Sequence, residues 1–316
     1  MSRPAQPADA QFPPAAAAVP GAALTPAARR WSGLENAPVQ IAGVINAYSA
    51  MLAERAGFRA LYLSGSGVAT ASFGLPDLGL TTLTEVAEET RRITAATSLP
   101  LLVDADTGWG PRPMVERAVR ALERAGAAAI QLEDQVADKR CGHRPNKRLA
   151  DTGEMAERIA AAVSARVSPD FAVVGRTDAL AVAGLDAALS RARSYAEAGA
   201  DIIFLEGAGE LRQYSAVAAA TGVPVLANLT EFGVTPLFTA AELAAAGVSF
   251  ALYPLSAFRA MSAAAARVFA AIRADGTQAA VLPAMQTRAE LYSVLDYEAQ
   301  ERQADLRAGN QVSRGR

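Results

Sequence analysis

From Val39 to Pro254 the chain repeats one unit: a short apolar run rich in β-branched residues, followed by an Ala-rich, charged segment of helical period. Continuous apolar runs are the mark of strands buried on both faces, which is the situation of a parallel sheet covered by its crossover helices. Eight runs can be read, at residues 39–46, 60–65, 101–106, 129–133, 172–178, 202–206, 223–228 and 249–254. Helical stretches at 114–125, 156–165, 187–198 and 257–271 lie between or after them, with Gly126 and Gly199 placed as C-terminal caps. Eight βα units predict closure into an α/β (β/α)8 TIM barrel. An open doubly wound sheet would gather ligand groups at one crevice. Here Ser64, Asp104 with Asp106, Glu133, Arg176 with Asp178, Glu206, and Asn228 with Thr230 sit at the end of nearly every run. In a barrel those ends meet at one mouth, where catalysis takes place.

A single barrel uses about 250 residues, so 316 residues leave room for appendages. Residues 1–30, rich in Ala and Pro, read as a disordered tail, 31–280 as the catalytic barrel, and 281–316 as a C-terminal helix that packs on a neighbouring subunit, followed by a tail. Within the last part, residues 286–306 have the pattern of one amphipathic helix. Prolines interrupt the N-terminal apolar runs before they reach signal-peptide length, and no later stretch offers the roughly 20 apolar residues of a membrane span. With 30 basic against 32 acidic residues there is no field to hold nucleic acid or an anionic membrane, which favours a small-molecule partner. One cysteine cannot form an intrachain disulfide, and the cytoplasm is the expected compartment.

Three constellations carry chemistry. In LLVDAD, Asp104 and Asp106 stand two apart on a strand and so point to one side. Hard oxygen ligands of this kind suit Mg2+, with Mn2+ as a substitute, and Glu133 and Glu206 on the same rim would repel them without a cation. Cys141, in the loop after the fourth strand, is surrounded by Lys139, Arg140, His143 and Arg144. Such neighbours are expected to lower the thiol pKa and suit Cys141 to proton transfer. A cysteine-protease dyad with His143 is disfavoured by their spacing of two within a loop. Arg176 and Arg259 offer guanidinium groups for substrate carboxylates. The run Ser64-Gly65-Ser66-Gly67 could bring backbone N–H groups close to an anion.

These motifs resemble the isocitrate lyase and phosphoenolpyruvate mutase superfamily, and within it the branch that cleaves 2-methylisocitrate. The resemblance covers nearly everything after the tail and is carried by YLSGSG (62–67), GLPDLG (74–79), LLVDADTGWG (101–110), EDQVADKRCGHRPNK (133–147), GRTDA (175–179), LANLTEFGVTPLF (226–238), ALYPLSAFRAM (251–261) and MQTRAELY (285–292). It implies retro-aldol cleavage of 2-methylisocitrate to pyruvate and succinate, a step of propionate breakdown in the methylcitrate cycle, by a Mg2+-dependent homotetramer without an organic cofactor. Asp104 and Asp106 would bind the metal directly, with Asp77, Glu133 and Glu206 holding its waters. Ser64, Gly65, Ser66 and Arg176 would bind the pyruvate-forming half. Cys141, Gly142, Asn228, Thr230, Arg259 and Arg288 would bind the succinate-forming half, with Lys139 and His143 in the catalytic loop. Cys141 would protonate the carbanion left on succinate. Tyr62 and the metal-linked carboxylates are the candidates for the hydroxyl base. Phe204 and Leu252 would shape the space for the extra methyl group.

One position departs from the family pattern: Ser66 stands where a third glycine is expected, and a positive φ there would strain it. The alternatives are a lyase for a related substituted malate or isocitrate, such as dimethylmalate, and a catalytically retired barrel acting as a binding subunit. A phosphonopyruvate-type mutase or hydrolase would have no use for the KRCGH acid.

Overall fold

The structure is a computed structural model and describes residues 38–314. The expectation for residues 1–30 lies outside the described residues. Eight parallel strands close in sequence order into a barrel, β1 pairing with both β2 and β8. They are β1 (Val39–Val44), β2 (Ala60–Leu63), β3 (Leu101–Asp104), β4 (Ala129–Glu133), β5 (Ala172–Thr177), β6 (Ile202–Leu205), β7 (Val225–Asn228) and β8 (Phe250–Tyr253). Around them run α1 (Ala47–Arg55), α2 (Gly65–Phe73), α3 (Leu83–Thr94), α4 (Arg112–Arg124), α5 (Thr152–Ala165), α6 (Ala179–Glu197), α7 (Leu211–Thr221), α8 (Ala240–Ala245) and α9 (Ser256–Asp275). A 3-10 turn (Ala279–Ala284), α10 (Arg288–Leu295) and α11 (Tyr297–Arg314) follow.

The side-chain period of two builds two separate cores. Inward residues such as Ile41, Leu102, Ala129, Val174, Ile202 and Phe250 fill the barrel. Their sequence neighbours, among them Leu61, Val103, Ile130, Val173 and Ile203, pack outward against the helices. The same parity, carried to the strand ends, aims Tyr62, Asp104, Glu133, Arg176, Phe204, Asn228 and Leu252 into the barrel's upper end. Closure at the mouth between β1 and β8 is tight: a Cβ on Gly43 would lie 1.8 Å from the Pro254 carbonyl oxygen, so only glycine fits.

All eight strands form, but several stop short of their expected ends, because the terminal polar residues leave the ladder for the rim. Asp106 is the important case. β3 ends at Asp104, and Asp106 has φ 46°, so the two carboxylates are not on one strand as the sequence suggested. α2 was not expected. It begins at Gly65, so the Ser64–Gly67 run is a helix start rather than an open glycine turn, and Ser66 is absent from the residues with positive φ. Serine is therefore accommodated there without strain. The single helix expected at 286–306 is two, broken at Asp296, whose φ of 50° turns the chain between α10 and α11. Gly126 (φ 96°) and Gly199 (φ 100°) follow α4 and α6 in the left-handed conformation expected of them.

Candidate active site

The mouth encloses a cavity of about 350 Å3. Most of the expected site residues line it: Tyr62, Ser64, Ser66, Asp77, Asp104 and Glu133 from the first four βα units, Lys139, Cys141, Gly142 and His143 from the loop after β4, and Arg176, Phe204, Glu206, Asn228, Thr230, Leu252 and Arg259 from the last four. Gly65 and Asp106 stand directly behind the acidic wall. Arg288 does not join them. It is exposed on α10, away from this chain's cavity.

The acidic wall is organised by the start of α2. The Gly65 N–H donates to Asp104 Oδ2 at 3.0 Å. A Cβ on Gly65 would meet Asp104 Oδ2 at 3.3 Å and both Asp106 oxygens at 3.4 Å, so the two carboxylates converge on one spot although one lies beyond the strand. Asp104 Oδ1 also accepts from the Asp106 N–H and from Gln131 Nε2, and Gln131 Oε1 in turn accepts from the Tyr62 hydroxyl at 2.9 Å. Lys139 Nζ sits 2.6 Å from Asp77 and 2.5 Å from Asp106. Burial pushes Asp106 up to about 6, helped by the charge of Asp104 and opposed by Lys139. Burial also raises Glu133 well above the carboxylate range, against Arg176 and Lys139. Burial works against the charge on Lys139, but Asp106, Glu133, Asp104 and Asp77 together keep the ammonium protonated.

This donor set fits a hard divalent cation. Two converging carboxylates are backed by others, one of which, Glu133, burial pushes toward neutrality. Among the described residues no three His, Cys, Asp or Glu side chains form a closed metal cage. An ion held by one or two carboxylates that keeps its waters, as Mg2+ does, needs none.

The Lys139–Arg144 loop is pinned over the cavity. Gln135 receives the Arg140 N–H at 2.9 Å and donates to the Arg140 carbonyl at 2.8 Å. His143 reaches across the mouth: its Nδ1 accepts from the Val234 N–H at 3.2 Å, and its Nε2 lies 3.0 Å from Glu206. An amide N–H can only donate, so Nε2 carries the proton and faces the carboxylate. Both ring nitrogens are thus engaged away from the Cys141 thiol, and no Cys-His dyad exists. Burial opposes ionisation of Glu206, but Arg176, His143 and Lys147 prevail and hold it at about 2. Gly142 must be glycine, since a Cβ would lie 2.3 Å from Arg176 Nη2 and 2.8 Å from Glu206.

One expectation is reversed here. The cationic neighbours of Cys141 do not lower its pKa: burial raises it, outweighing the His143 backbone N–H, with Asp77 adding to the rise. Lys139 is already engaged by carboxylates, as is Arg176, which lies 3.0 Å from both Glu206 and Asp178 and 5.0 Å over the Phe204 ring. A raised pKa keeps the Cys141 thiol protonated at neutral pH rather than as a thiolate. Its alkylation by iodoacetamide is expected to be slow at pH 7 and to rise with pH through a midpoint above the ~8.5 of a free thiol. A midpoint below that of free cysteine would contradict the structure.

Sequence reading missed Gln131, the buried link between Tyr62 and Asp104, because an inward Gln deep in an apolar run carries no rim signal. It also missed Glu231 and Phe232 in the NLTEFG segment. Glu231 pairs with Ser256 and Arg259, and Phe232 stands 95% exposed with the Arg259 guanidinium 5.6 Å over its ring.

A closed parallel barrel whose mouth gathers a wall of carboxylates, a thiol and several cationic side chains around one cavity has the site placement of TIM-barrel enzymes. The family model for phosphoenolpyruvate phosphomutase matches residues 34–273. The chain is 56% identical over 277 residues to 2-methylisocitrate lyase of Escherichia coli (strain K12), covering 87% of this chain and 94% of that one. Its fold is similar to that of 2,3-dimethylmalate lyase, a member of the phosphoenolpyruvate mutase/isocitrate lyase superfamily, with TM-score 0.81, 35% identity, and coverage of 91% and 97%. It is also similar to phosphonopyruvate hydrolase in complex with oxalate and Mg2+, with TM-score 0.75, 32% identity, and coverage of 90% and 96%. The chain belongs to the phosphoenolpyruvate phosphomutase family. Within that superfamily it is an enzyme of the carbon–carbon lyase kind.

Proposed function

We propose that this enzyme cleaves 2-methylisocitrate to pyruvate and succinate with Mg2+, Mn2+ serving as a substitute, as the lyase of the methylcitrate cycle in propionate breakdown. The observation that carries the reading is that the half-buried Cys141, whose thiol pKa burial raises, lines the same cavity as Asp104, on which Asp106 converges. Asp104 and Asp106 would hold the cation, with Asp77 and Glu133 bonding to its waters. When bound, it supplies positive charge for the developing pyruvate carbonyl and its carboxylate.

Cleavage removes the substrate's hydroxyl proton, breaks the carbon–carbon bond and leaves its electron pair on the succinate fragment. Cys141 gives that carbon its proton. Tyr62 serves as a donor, its hydroxyl directed at Gln131, which leaves a rim carboxylate as the base for the hydroxyl. Ser64, Gly65 and Ser66 would bind the pyruvate-forming half, with the Gly65 N–H holding Asp104. Arg176 would bind the pyruvate-forming half as well, and Gly142, Asn228, Thr230 and Arg259 the succinate-forming half. His143 and Lys139 hold the loop rather than transfer the proton.

Phe204 and Leu252, two of the apolar residues of the lining beside Phe232, Pro254 and Leu255, would favour the additional methyl group. A methyl contact is worth about 1–3 kcal/mol, so preference rather than exclusion is expected. The likeness to 2,3-dimethylmalate lyase supports a second reading, a lyase for another substituted malate. Comparing kcat/KM for 2-methylisocitrate, isocitrate and 2,3-dimethylmalate separates these. An advantage of roughly 10-fold or more for the first is expected; a higher value for either rival would overturn the assignment of Phe204 and Leu252.

Assembly into a homotetramer in the cytoplasm belongs to the same reading, as does the packing of residues 281–316 on a neighbour. None of the α9 residues is buried, and Met261, Phe269 and Ile272 stand exposed along it, a face that suits a second subunit. Among the described residues no helix is long and apolar enough to cross a membrane, and the near-balanced charge supports neither a nucleic acid nor a membrane as partner.

A further inference from the structure

Lys147 lies outside the cavity lining, yet its ammonium is among the most deeply placed charges near the site, with 2% of its side chain exposed. A buried lysine is costly unless fully partnered. Its two partners join separate parts of the machinery. Nζ donates to the Gly142 carbonyl at 2.5 Å, one residue beyond Cys141, and to Asp178 Oδ1 at 2.6 Å. The same Asp178 carboxylate accepts from Arg176 Nε at 3.0 Å and Nη2 at 3.3 Å.

Asp178 is itself fixed from beneath. Its N–H donates to Asp134 Oδ1 at 2.9 Å, while Asp134 Oδ2 accepts from the Thr177 and Tyr195 hydroxyls at 2.7 and 2.8 Å and from Arg191 at 3.2 Å. The pull of Lys147 on the Gly142 carbonyl therefore has a rigid footing. It draws Gly142 against Arg176 and Glu206, the contact that leaves no space for a Cβ.

We infer that Lys147 is a positioning residue: it seats the Cys141 loop on Arg176 through the carboxylate of Asp178 that both cations share. The position of the thiol in the cavity is thereby tied to the placement of Arg176. This deepens the proposed reaction and rests on Cys141 as its acid, but the seating can be measured without turnover.

In the full-length enzyme with Mg2+, Lys147→Met keeps the side chain's bulk and removes both hydrogen bonds. Alkylation of Cys141 by iodoacetamide, without substrate, is expected to accelerate by about 10-fold as the loop loosens. In the same preparation kcat is expected to fall about 100-fold with KM changed less than about threefold, the split of a group that acts at the transition state through another. Lys147→Gln, which keeps a donor for the Gly142 carbonyl, should lie between wild type and Lys147→Met in both readouts, and it serves if the first variant does not fold. Unchanged alkylation with only a lowered melting temperature, a rise in KM at constant kcat, or failure of both variants to fold would overturn the inference and leave Lys147 as a structural ion pair. If Cys141→Ser should turn over normally, the acid role fails, and the alkylation rates still decide whether Lys147 seats the loop.

Discussion

Asp104→Asn is expected to lower metal-dependent turnover by about 10^3-fold or more, corresponding to several kcal/mol of lost charge stabilisation. The substitution keeps the size of the side chain and an oxygen for the Gly65 N–H, so the start of α2 retains its partner. It removes the anionic charge that converges with Asp106 beside Gly65, the proposed seat of the cation. Binding of Mn2+, followed by calorimetry or by the ion's spin resonance, should weaken in parallel. Turnover that persists in Asp104→Asn, or metal affinity that stays unchanged, would contradict the assignment of this wall to the cation.

Cys141→Ser should have an effect of comparable size for a different reason. General acids contribute about 10^2 to 10^4-fold, and a serine hydroxyl is a far weaker acid than even a thiol raised by burial. The loop is held by Gln135, His143 and Lys147 rather than by the thiol, so the fold, metal binding and substrate affinity should remain close to wild type. Circular dichroism and binding of a succinate-like inhibitor check the first and last of these. A variant within threefold of wild-type kcat would remove Cys141 from the mechanism.

The barrel was legible because strand parity and the polar strand ends are local properties of the sequence. Tyr62, Asp104, Glu133, Arg176, Glu206 and Asn228 reach one mouth because each lies an even number of residues from an inward apolar neighbour. What escaped depends on contacts between distant segments. The convergence of Asp106 with Asp104 is set by the left-handed turn after β3 and the approach of α2. The thiol's environment turned on which charges were already paired: the four cations written beside Cys141 suggested a thiolate, but Lys139 is engaged by Asp77 and Asp106, and burial prevails. Gln131 links Tyr62 and Asp104, both distant in sequence, and no local pattern marks it; Lys147 closes the 133–147 motif, but its pairing with Asp178 is a contact between separate segments.

Pyruvate release from 2-methylisocitrate by the purified full-length enzyme, measured with Mg2+ and again with excess chelator, decides whether this mouth is a metal-dependent lyase site. The expected result is rapid release with the metal, with succinate formed in equal amount, and loss of activity on chelation that added Mg2+ restores. Release that is indifferent to chelator, or a folded enzyme that yields no pyruvate from this substrate with the metal present, would contradict the account.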